Sequence, residues 1–511
     1  MTNVKEIFDL MGPISKEETG LIEKAYAFAE RVHSGQKRFS GEPYFNHVFL
    51  VAKNLALMKM DSATIAAGFL HDTIEDAHVS ETEIEKEFGQ EIAFLVKGVT
   101  KLGKLKYRGL DRHIESLRKF FIAMAVDIRV LVIKLADRLH NVQTLKHVPK
   151  EKQRRIALET LEIHARLADR LGMGRIRSEL ENAAFPYAFP NEFEKVKELL
   201  KGGRSMNEKD VEKIHRVLQK ELASEGISGV KTEYRVKHLY SLYKKLEKRD
   251  MDISKVYDLV ALRVIVKNVE DCYRTLGIIH RLWRPLPGRI KDYIALPKPN
   301  GYRSLHTTIF TGDGGVVEIQ IRTEQMHHEA EYGIASHLFY KEHGKETPGQ
   351  NIAWVKQLLE WQKNVSHSGE FLENLKMDFF KYRAFVFTPK GDVIDLPDES
   401  SPIDFAYAIH SDIGDHVAGA IVNGKLVPLD TKLRNGDIVR IDTKKTATPK
   451  SKWLDYAKTT LAKRHIRNYL DANNPFKKFI AGKFKIWFPA VLDGKIFYII
   501  EVLLFFLYFF F

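Results

Sequence analysis

The chain has 511 residues, enough for about three or four domains of ordinary size. With 44% hydrophobic and 29% charged residues it has ample material for several cores, and its formal net charge of +13 favours anionic partners: nucleotides, RNA or an anionic membrane surface. Cys272 is the only cysteine, which excludes an intrachain disulfide and a multi-cysteine zinc site and suits a reducing cytoplasm, and the opening residues mix charges with no signal-peptide core.

Residues 1 to about 175 read as helical, with apolar spacings of three and four and few strand signals. His47 closes the turn Ser40-Gly41-Glu42-Pro43-Tyr44-Phe45-Asn46-His47, ahead of the apolar run Val48 to Ala52. Asp61 to Ala67 predicts a helix with Asp61 or Ser62 as N-cap. The run Gly68-Phe69-Leu70-His71-Asp72-Thr73-Ile74-Glu75-Asp76 follows. If that helix continues, His71 and Glu75 are four apart, as are Asp72 and Asp76, so all four polar groups share one side. A divalent cation needs such a convergence, because neutral imidazole and ionised carboxylate replace its hydration shell. Leu131 to Asn141 reads as a hydrophobic helix that turns polar on one side, where Asp137 and Asn141 are again four apart. Taken singly these residues read as structural. Together His47, His71, Asp72 and Asp137 would make a two-His, two-Asp shell with positions left for water and a phosphate oxygen. In order and context they resemble the HD phosphohydrolase superfamily.

Residues 176 to 230 read as a charged helical connector with a break near Gly202-Gly203, and from about 231 to 341 strands alternate with helices. The clearest strands are Val260 to Val266 and Val316 to Arg322. Tyr234-Arg235-Val236-Lys237-His238 is expected to open a helix that includes Tyr240, Leu242 and Tyr243. Between Arg289 and Arg322, clustered Lys and Arg lie beside acidic side chains, which is what phosphoryl transfer requires for positioning and charge neutralisation. Tyr302, in a Gly-containing loop, could stack on a base. Glu318, Gln320 and Arg322 alternate onto one sheet face, either a pocket floor or the solvent side of an edge strand. Asp258, at a strand start, could join Glu318 around Mg²⁺. Residues 342 to 382 read as a polar helical linker, residues 384 to 444 as a compact strand-rich module with turns at Asn423-Gly424 and Asn435-Gly436, and residues 445 to 470 as a basic helical segment.

The blocks Gly68 to Asp76, Lys134 to Asn141, Arg281 to Ile309, Val317 to Arg322 and His328-Glu329-Ala330-Glu331-Tyr332-Gly333 together resemble the RelA/SpoT family of bifunctional alarmone synthetase/hydrolases, from roughly Glu23 to His465. The resemblance implies a multi-domain α+β chain: an all-α HD-type hydrolase domain with its connector over 1–196, and a mixed α/β nucleotidyltransferase-like synthetase domain over 197–341. A helical linker would occupy 342–382, a small β-grasp TGS domain 383–444, and a partial helical region with an atypical tail 445–511. It implies two opposed reactions on (p)ppGpp. A Mg²⁺-dependent synthetase moves the β,γ-pyrophosphate of ATP to the 3′-hydroxyl of GTP or GDP, and an Mn²⁺-dependent hydrolase removes it.

Carried over by motif, His47, His71, Asp72 and Asp137 would hold Mn²⁺, Glu75 and Asp76 would position and deprotonate water, and Arg38 and Asn141 would hold the nucleotide. Asp258 and Glu318 would bind Mg²⁺, with Glu318 also activating the 3′-hydroxyl. Arg235, Lys237, Lys291 and Lys298 would grip phosphates and Tyr302 would stack on guanine, with Asn300, His306, Gln320 and Arg322 in the same pocket. His410 matches the TGS position that approaches the 3′ end of uncharged tRNA on the ribosome. The complete metal set and the basic Arg289-Ile290-Lys291-Asp292 point to two working activities. The rival reading is a ribosome- or tRNA-sensing member with one catalytic site. Phe39, Val48, Tyr234 and Leu338 depart from the family pattern, where lysine, proline, glycine and tryptophan are usual. The run Ile496 to Phe511, interrupted only by Glu501, does not fit the family; a frameshifted or truncated C-terminus is expected there in preference to a membrane anchor.

Overall fold

The structure, a computed structural model, describes residues 3–103, 126–202, 208–236, 238–253, 256, 260–298, 300–312, 315–336, 383–434 and 436–474. Asp258, Lys237, Leu338, the expected linker 342–382 and the hydrophobic tail lie outside them. The chain divides into two compact units, Met1–Leu375 and Lys376–Phe511.

The first unit begins as helices. Ser15 and Glu18 form a capping box that starts Lys16–Val32, and Asp61 caps Ser62–Leu70 by accepting from the Thr64 amide at 2.8 Å. Every residue from Thr64 to Leu70 is buried, so this helix is a central rod against Lys16–Val32 and Phe45–Leu57. A Cβ at Gly68 would lie 2.5 Å from Leu55 Cδ1; its absence lets the helices that bring in His47 and His71 close on each other. The helix does not run on through the His-Asp pair. It ends at Leu70, and Thr73–Asp76 makes a separate short turn, leaving His71 and Asp72 at the joint. The cause is local: the His71 ring bonds the Gly68 carbonyl at 2.8 Å and the Thr73 hydroxyl donates to the Leu70 carbonyl at 2.6 Å, competing with amides of a continuing helix. Arg129–Gln143 lies alongside, carrying Asp137, His140 and Asn141.

The second half of this unit is a five-stranded sheet in the order β1-β2-β5-β4-β3, with β1 Lys231–Val236, β2 Val260–Val266, β3 Lys291–Asp292, β4 Leu305–Phe310 and β5 Val316–Thr323. β2 and β5 are parallel and the other pairs antiparallel. One face buries Leu262, Val264, Leu305, Ile309, Ile319 and Ile321 with residues of Glu208–Ser224 and Val269–Leu282. By alternation the opposite face carries Arg263, His306, Thr308, Glu318, Gln320 and Arg322. β5 is central, not an edge, and Gln320 and Arg322 are buried, so this face is a pocket floor rather than a solvent side. Tyr234 and Arg235 do not open a helix. They sit on β1, paired with Leu262 and Ala261, and the helix Leu239–Glu247 starts only after His238. Alternating Thr, Tyr and Val suit a strand at that edge.

The two halves meet at Gly174–Ala188, which packs on Arg129–Gln143 on one side and on Glu324–Tyr332 and Leu239–Glu247 on the other. Gly333 ends Glu324–Tyr332 with φ +57, and a Cβ there would lie 2.0 Å from the Leu171 carbonyl oxygen. Ile334 donates its amide to that carbonyl at 2.9 Å, so backbone meets backbone at the junction.

In the second unit, β6 Arg383–Phe387 pairs with β7 Val393–Pro397, and β8 Val417–Val422 lies between β10 Val439–Thr443 and β9 Lys425–Val427. A parallel bridge from Phe387 to Ile438 links the two sheets. Asp404, fully buried in Pro402–Ile409, accepts from the amides of Ser401, Lys458 and Thr459 and from the Thr459 hydroxyl, at 2.7–3.0 Å. That carboxylate ties the chain after the strands back to the sheet module. Trp453, Ala462 and Ile466 then share a core with Ile403 and Tyr407, so the basic segment packs on this unit instead of opening a separate one. Among the described residues no helix is long and apolar enough to cross a membrane.

Candidate active sites

Two clusters of chemically active side chains lie in the first unit. In the helical half, ligand atoms of His47, His71 and Asp137 lie within 4.8 Å of one another, all three residues being buried. His47 Nε2 is 3.3 Å from both Asp72 Oδ2 and Asp137 Oδ1, and His71 Nε2 is 3.1 Å from Asp72 Oδ2. His71 Nδ1 is spent on the Gly68 carbonyl, which requires it to carry the proton and turns the Nε2 lone pair toward the carboxylates. That buried Nε2 makes no hydrogen bond. A lone pair facing two carboxylates is repulsive unless positive charge lies between them.

The other carrier of that charge is a proton on the ring itself. Burial works against a charged His71, yet the Asp72 and Asp137 carboxylates overcome it and lift the ring to about 10. Burial likewise opposes ionisation of Asp72 and Asp137, but His71 with His47 at the first, and Lys134 with the two rings at the second, hold both carboxyls well below the usual range. The four side chains are built around a positive centre, and their donor set of two imidazoles and two carboxylates fits a divalent cation.

The surrounding shell is ordered. Asp137 accepts from Lys134 Nζ at 2.7 Å and from Asn141 Nδ2 at 2.5 Å. The Lys37–Pro43 bridge and the Arg38 amide bond to the Glu42 carbonyl shape the loop that presents Arg38. Its guanidinium reaches Asn141 Oδ1 at 2.5 Å and His140 Nδ1 at 2.8 Å, so the two residues expected to hold a nucleotide do meet. His140 was not anticipated. Its Nδ1 also lies 2.8 Å from His47 Nδ1, and burial, with His47 and Arg38 beside it, pushes the ring down to about 3. Neutral His140 thus offers one Nδ1 lone pair that Arg38 and the His47 Nδ1–H share, and His47 Nε2 faces the cluster. In the short Thr73–Asp76 turn, Glu75 is half-buried and Asp76 is exposed at the rim. Phe39 is 73% exposed beside Arg38.

The second cluster lines a cleft of about 640 Å³ over the polar sheet face. Glu318 Oε1 lies 2.8 Å from His306 Nδ1 and 3.3 Å from Gln320 Nε2, and the Tyr302 hydroxyl is 2.8 Å from His306 Nε2. Burial pushes the His306 ring down even though Glu318 favours its charged form. Lys298 Nζ sits 4.7 Å from the Tyr293 ring centroid and 4.8 Å from that of Tyr302, with Arg322 beyond at 5.8 Å from Tyr302. Burial pushes Lys298 down to about 8, Arg177 and Lys291 adding to the depression and Asp169 and Glu318 opposing it. Lys291 and Asn300 line the cleft as expected, Asn300 Nδ2 donating to the Asp169 carbonyl at 3.2 Å. Arg235 is on β1, without a described side chain.

Sequence reasoning missed the far wall. Arg175, Arg177 and Ser178 come from Gly174–Ala188 and Ser241, Lys245 and Arg249 from the stretch after His238. Arg263, also in the wall, pairs with Glu233 at 2.9 Å and Glu331 at 3.2 Å. Tyr234, likewise lining the cleft, has ordinary strand backbone, so the glycine usual there is not required for conformation. In the second unit, exposed His410 ends Pro402–Ile409 and its Nδ1 accepts from the Asp412 amide at 3.2 Å.

A cluster of two histidines and two aspartates on helices, joined to a sheet whose acidic and basic face lines a cleft, defines a helical HD-type domain fused to a mixed α/β domain. Comparison with known proteins agrees. The HD domain description matches residues 25–174, the "Region found in RelA / SpoT proteins" matches 234–345, and the TGS domain matches 384–443. A GTP pyrophosphokinase of Myxococcus xanthus is 46% identical over 470 residues, covering 91% of this chain and 62% of its own length. A guanosine-3′,5′-bis(diphosphate) 3′-pyrophosphohydrolase of Aquifex aeolicus is 45% identical, with 90% and 66% covered, and the bifunctional (p)ppGpp synthase/hydrolase SpoT of Escherichia coli K12 is 43% identical, with 89% and 66% covered. The chain belongs to the RelA/SpoT family. It spans slightly under two thirds of the length of these relatives.

Proposed function

We propose that the chain both makes and degrades (p)ppGpp, with synthesis in the sheet cleft and hydrolysis at the His47–His71–Asp72–Asp137 cluster. The observation that carries the reading is the presence, in one compact unit, of a cation-ready cluster beside Arg38 and Asn141 and a separate basic cleft floored by Glu318. A degrading site fused to a synthesising site implies one shared nucleotide.

In hydrolysis, His47, His71, Asp72 and Asp137 would hold Mn²⁺, which when bound supplies Lewis acidity toward the 3′-pyrophosphate. Arg38 and Asn141 bind the nucleotide. Glu75 and Asp76 orient a water and take its proton as it attacks phosphorus; the bond from phosphorus to the 3′-oxygen breaks, leaving GDP or GTP and pyrophosphate. In synthesis, Glu318 takes the proton of the 3′-hydroxyl of GDP or GTP, whose oxygen bonds the β-phosphorus of ATP as AMP leaves. Lys291, Lys298, Arg235 and Lys237 neutralise the phosphates, Tyr302 stacks on guanine, and Asn300, His306, Gln320 and Arg322 shape the pocket. Asp258 and Glu318 would hold Mg²⁺. Uncharged tRNA on the ribosome is the partner proposed for the TGS domain through His410, whose exposure is compatible with contact.

The test is paired: purified protein with ATP and GDP plus Mg²⁺, and separately with ppGpp plus Mn²⁺. Both products are expected. Absence of Mn²⁺-dependent pyrophosphate release would remove the hydrolase half.

A further inference from the structure

Tyr44 has no role in the account so far, yet it occupies the junction between the cation cluster and the water-activating acids. Its hydroxyl lies 2.6 Å from Asp76 Oδ2 and 2.7 Å from Asp72 Oδ2. The ring stacks on His33 at 5.0 Å with a 20° tilt between planes, and its amide donates to the Gln36 carbonyl at 2.9 Å. His33 is buried, with Nδ1 2.8 Å from Gln36 Oε1. Gln36 Nε2 in turn donates to the Asp76 carbonyl at 3.0 Å. The four residues close a ring, His33–Gln36–Asp76–Tyr44, that grips Asp76 by both its side chain and its backbone.

We propose that Tyr44 is a positioning residue of the hydrolase, tying the Asp76 carboxylate to the cation-ligand cluster through Asp72. The inference rests on the hydrolase reading above. One hydroxyl carries one proton and serves one carboxylate at a time. With Asp72 engaged in holding a cation, the Tyr44 proton would serve Asp76. Tyr44 would thereby fix the one acid of the pair that is exposed at the rim. Without the hydroxyl, Asp76 would be anchored only by backbone contacts, and water would be poorly aimed. A displacement of that size costs activity without costing ligand binding.

The experiment uses the full chain carrying Tyr44→Phe, which keeps the ring and its stacking on His33. With ppGpp and Mn²⁺, kcat for pyrophosphate release is expected to fall about 10- to 100-fold, the usual range for outer-shell partners, with KM within about twofold. Mn²⁺ affinity, read by paramagnetic resonance titration without nucleotide, should stay within about threefold, and synthesis from ATP and GDP should be unchanged, which also reports folding. In an Asp76→Asn background, Tyr44→Phe should add nothing, because it acts through Asp76. Full additivity in that background, an unchanged kcat, or a loss of Mn²⁺ affinity that matches the loss of kcat would each overturn the proposal. Wild-type protein that releases no pyrophosphate would instead overturn the hydrolase reading on which it stands.

Discussion

The two sites of the first unit are organised in opposite ways. At the helical site His47, His71 and Asp137 are buried and each is held by a partner: His71 by a carbonyl, His47 by His140, Asp137 by Lys134 and Asn141. At the sheet site the groups line a cleft in which burial, with Arg177 and Lys291 nearby, depresses Lys298 against the opposing carboxylates of Asp169 and Glu318. The first arrangement is prepared for a small, hard positive charge, the second for a large, flexible polyanion. One sequence thus places its carboxylates in excess where a cation belongs and its cations in excess where phosphates belong.

The sharpest way to break the comparison is to remove one group from each side. His71→Ala takes away a buried donor and should lower Mn²⁺-dependent pyrophosphate release by about a thousandfold or more while synthesis persists, measured on the same preparation. Glu318→Gln should lower synthesis by about a thousandfold and leave hydrolysis intact, since it removes the base but keeps the shape. His140→Ala should weaken Mn²⁺ binding by about tenfold or more, read by calorimetry, because His47 and Arg38 lose their shared acceptor. The smallest effect concerns pH. Lys298 is protonated below about 8 and loses its charge as pH rises through that value. The KM of GDP for synthesis should therefore climb by about tenfold between pH 7 and 9.5, and Lys298→Met should flatten that climb.

Legibility in the sequence followed the same division. His47 and Asp137 ride on helices whose apolar pattern is plain in the sequence, and His71 and Asp72 follow directly on a third, at its end. The Glu318, Gln320 and Arg322 face was readable because strand alternation is strict, though only the central place of β5 decides that it is a floor. What escaped notice depends on long-range pairing. His140 falls among apolar residues of Arg129–Gln143 and looks like core until its ring is seen between His47 and Arg38. Arg177 and Arg263 join the cleft only through the docking of Gly174–Ala188 and the pairing of β1 with β2. Tyr234 and Arg235 were misread as a helix opening because β1 is defined by its partner strand more than by its own pattern. The break at His71 turns on two side chains that take carbonyls of the preceding turn, which no periodicity reveals.

The central claim is that one unit carries two independent, opposed sites. The most direct measurement follows pyrophosphate release from ppGpp with Mn²⁺ and ppGpp formation from ATP and GDP with Mg²⁺, in wild type, His71→Ala and Glu318→Gln. Two activities in wild type, each abolished by only one substitution in a crossed pattern, are expected. Loss of both activities in either variant with the fold intact, or wild-type protein able to run only one direction, would contradict it.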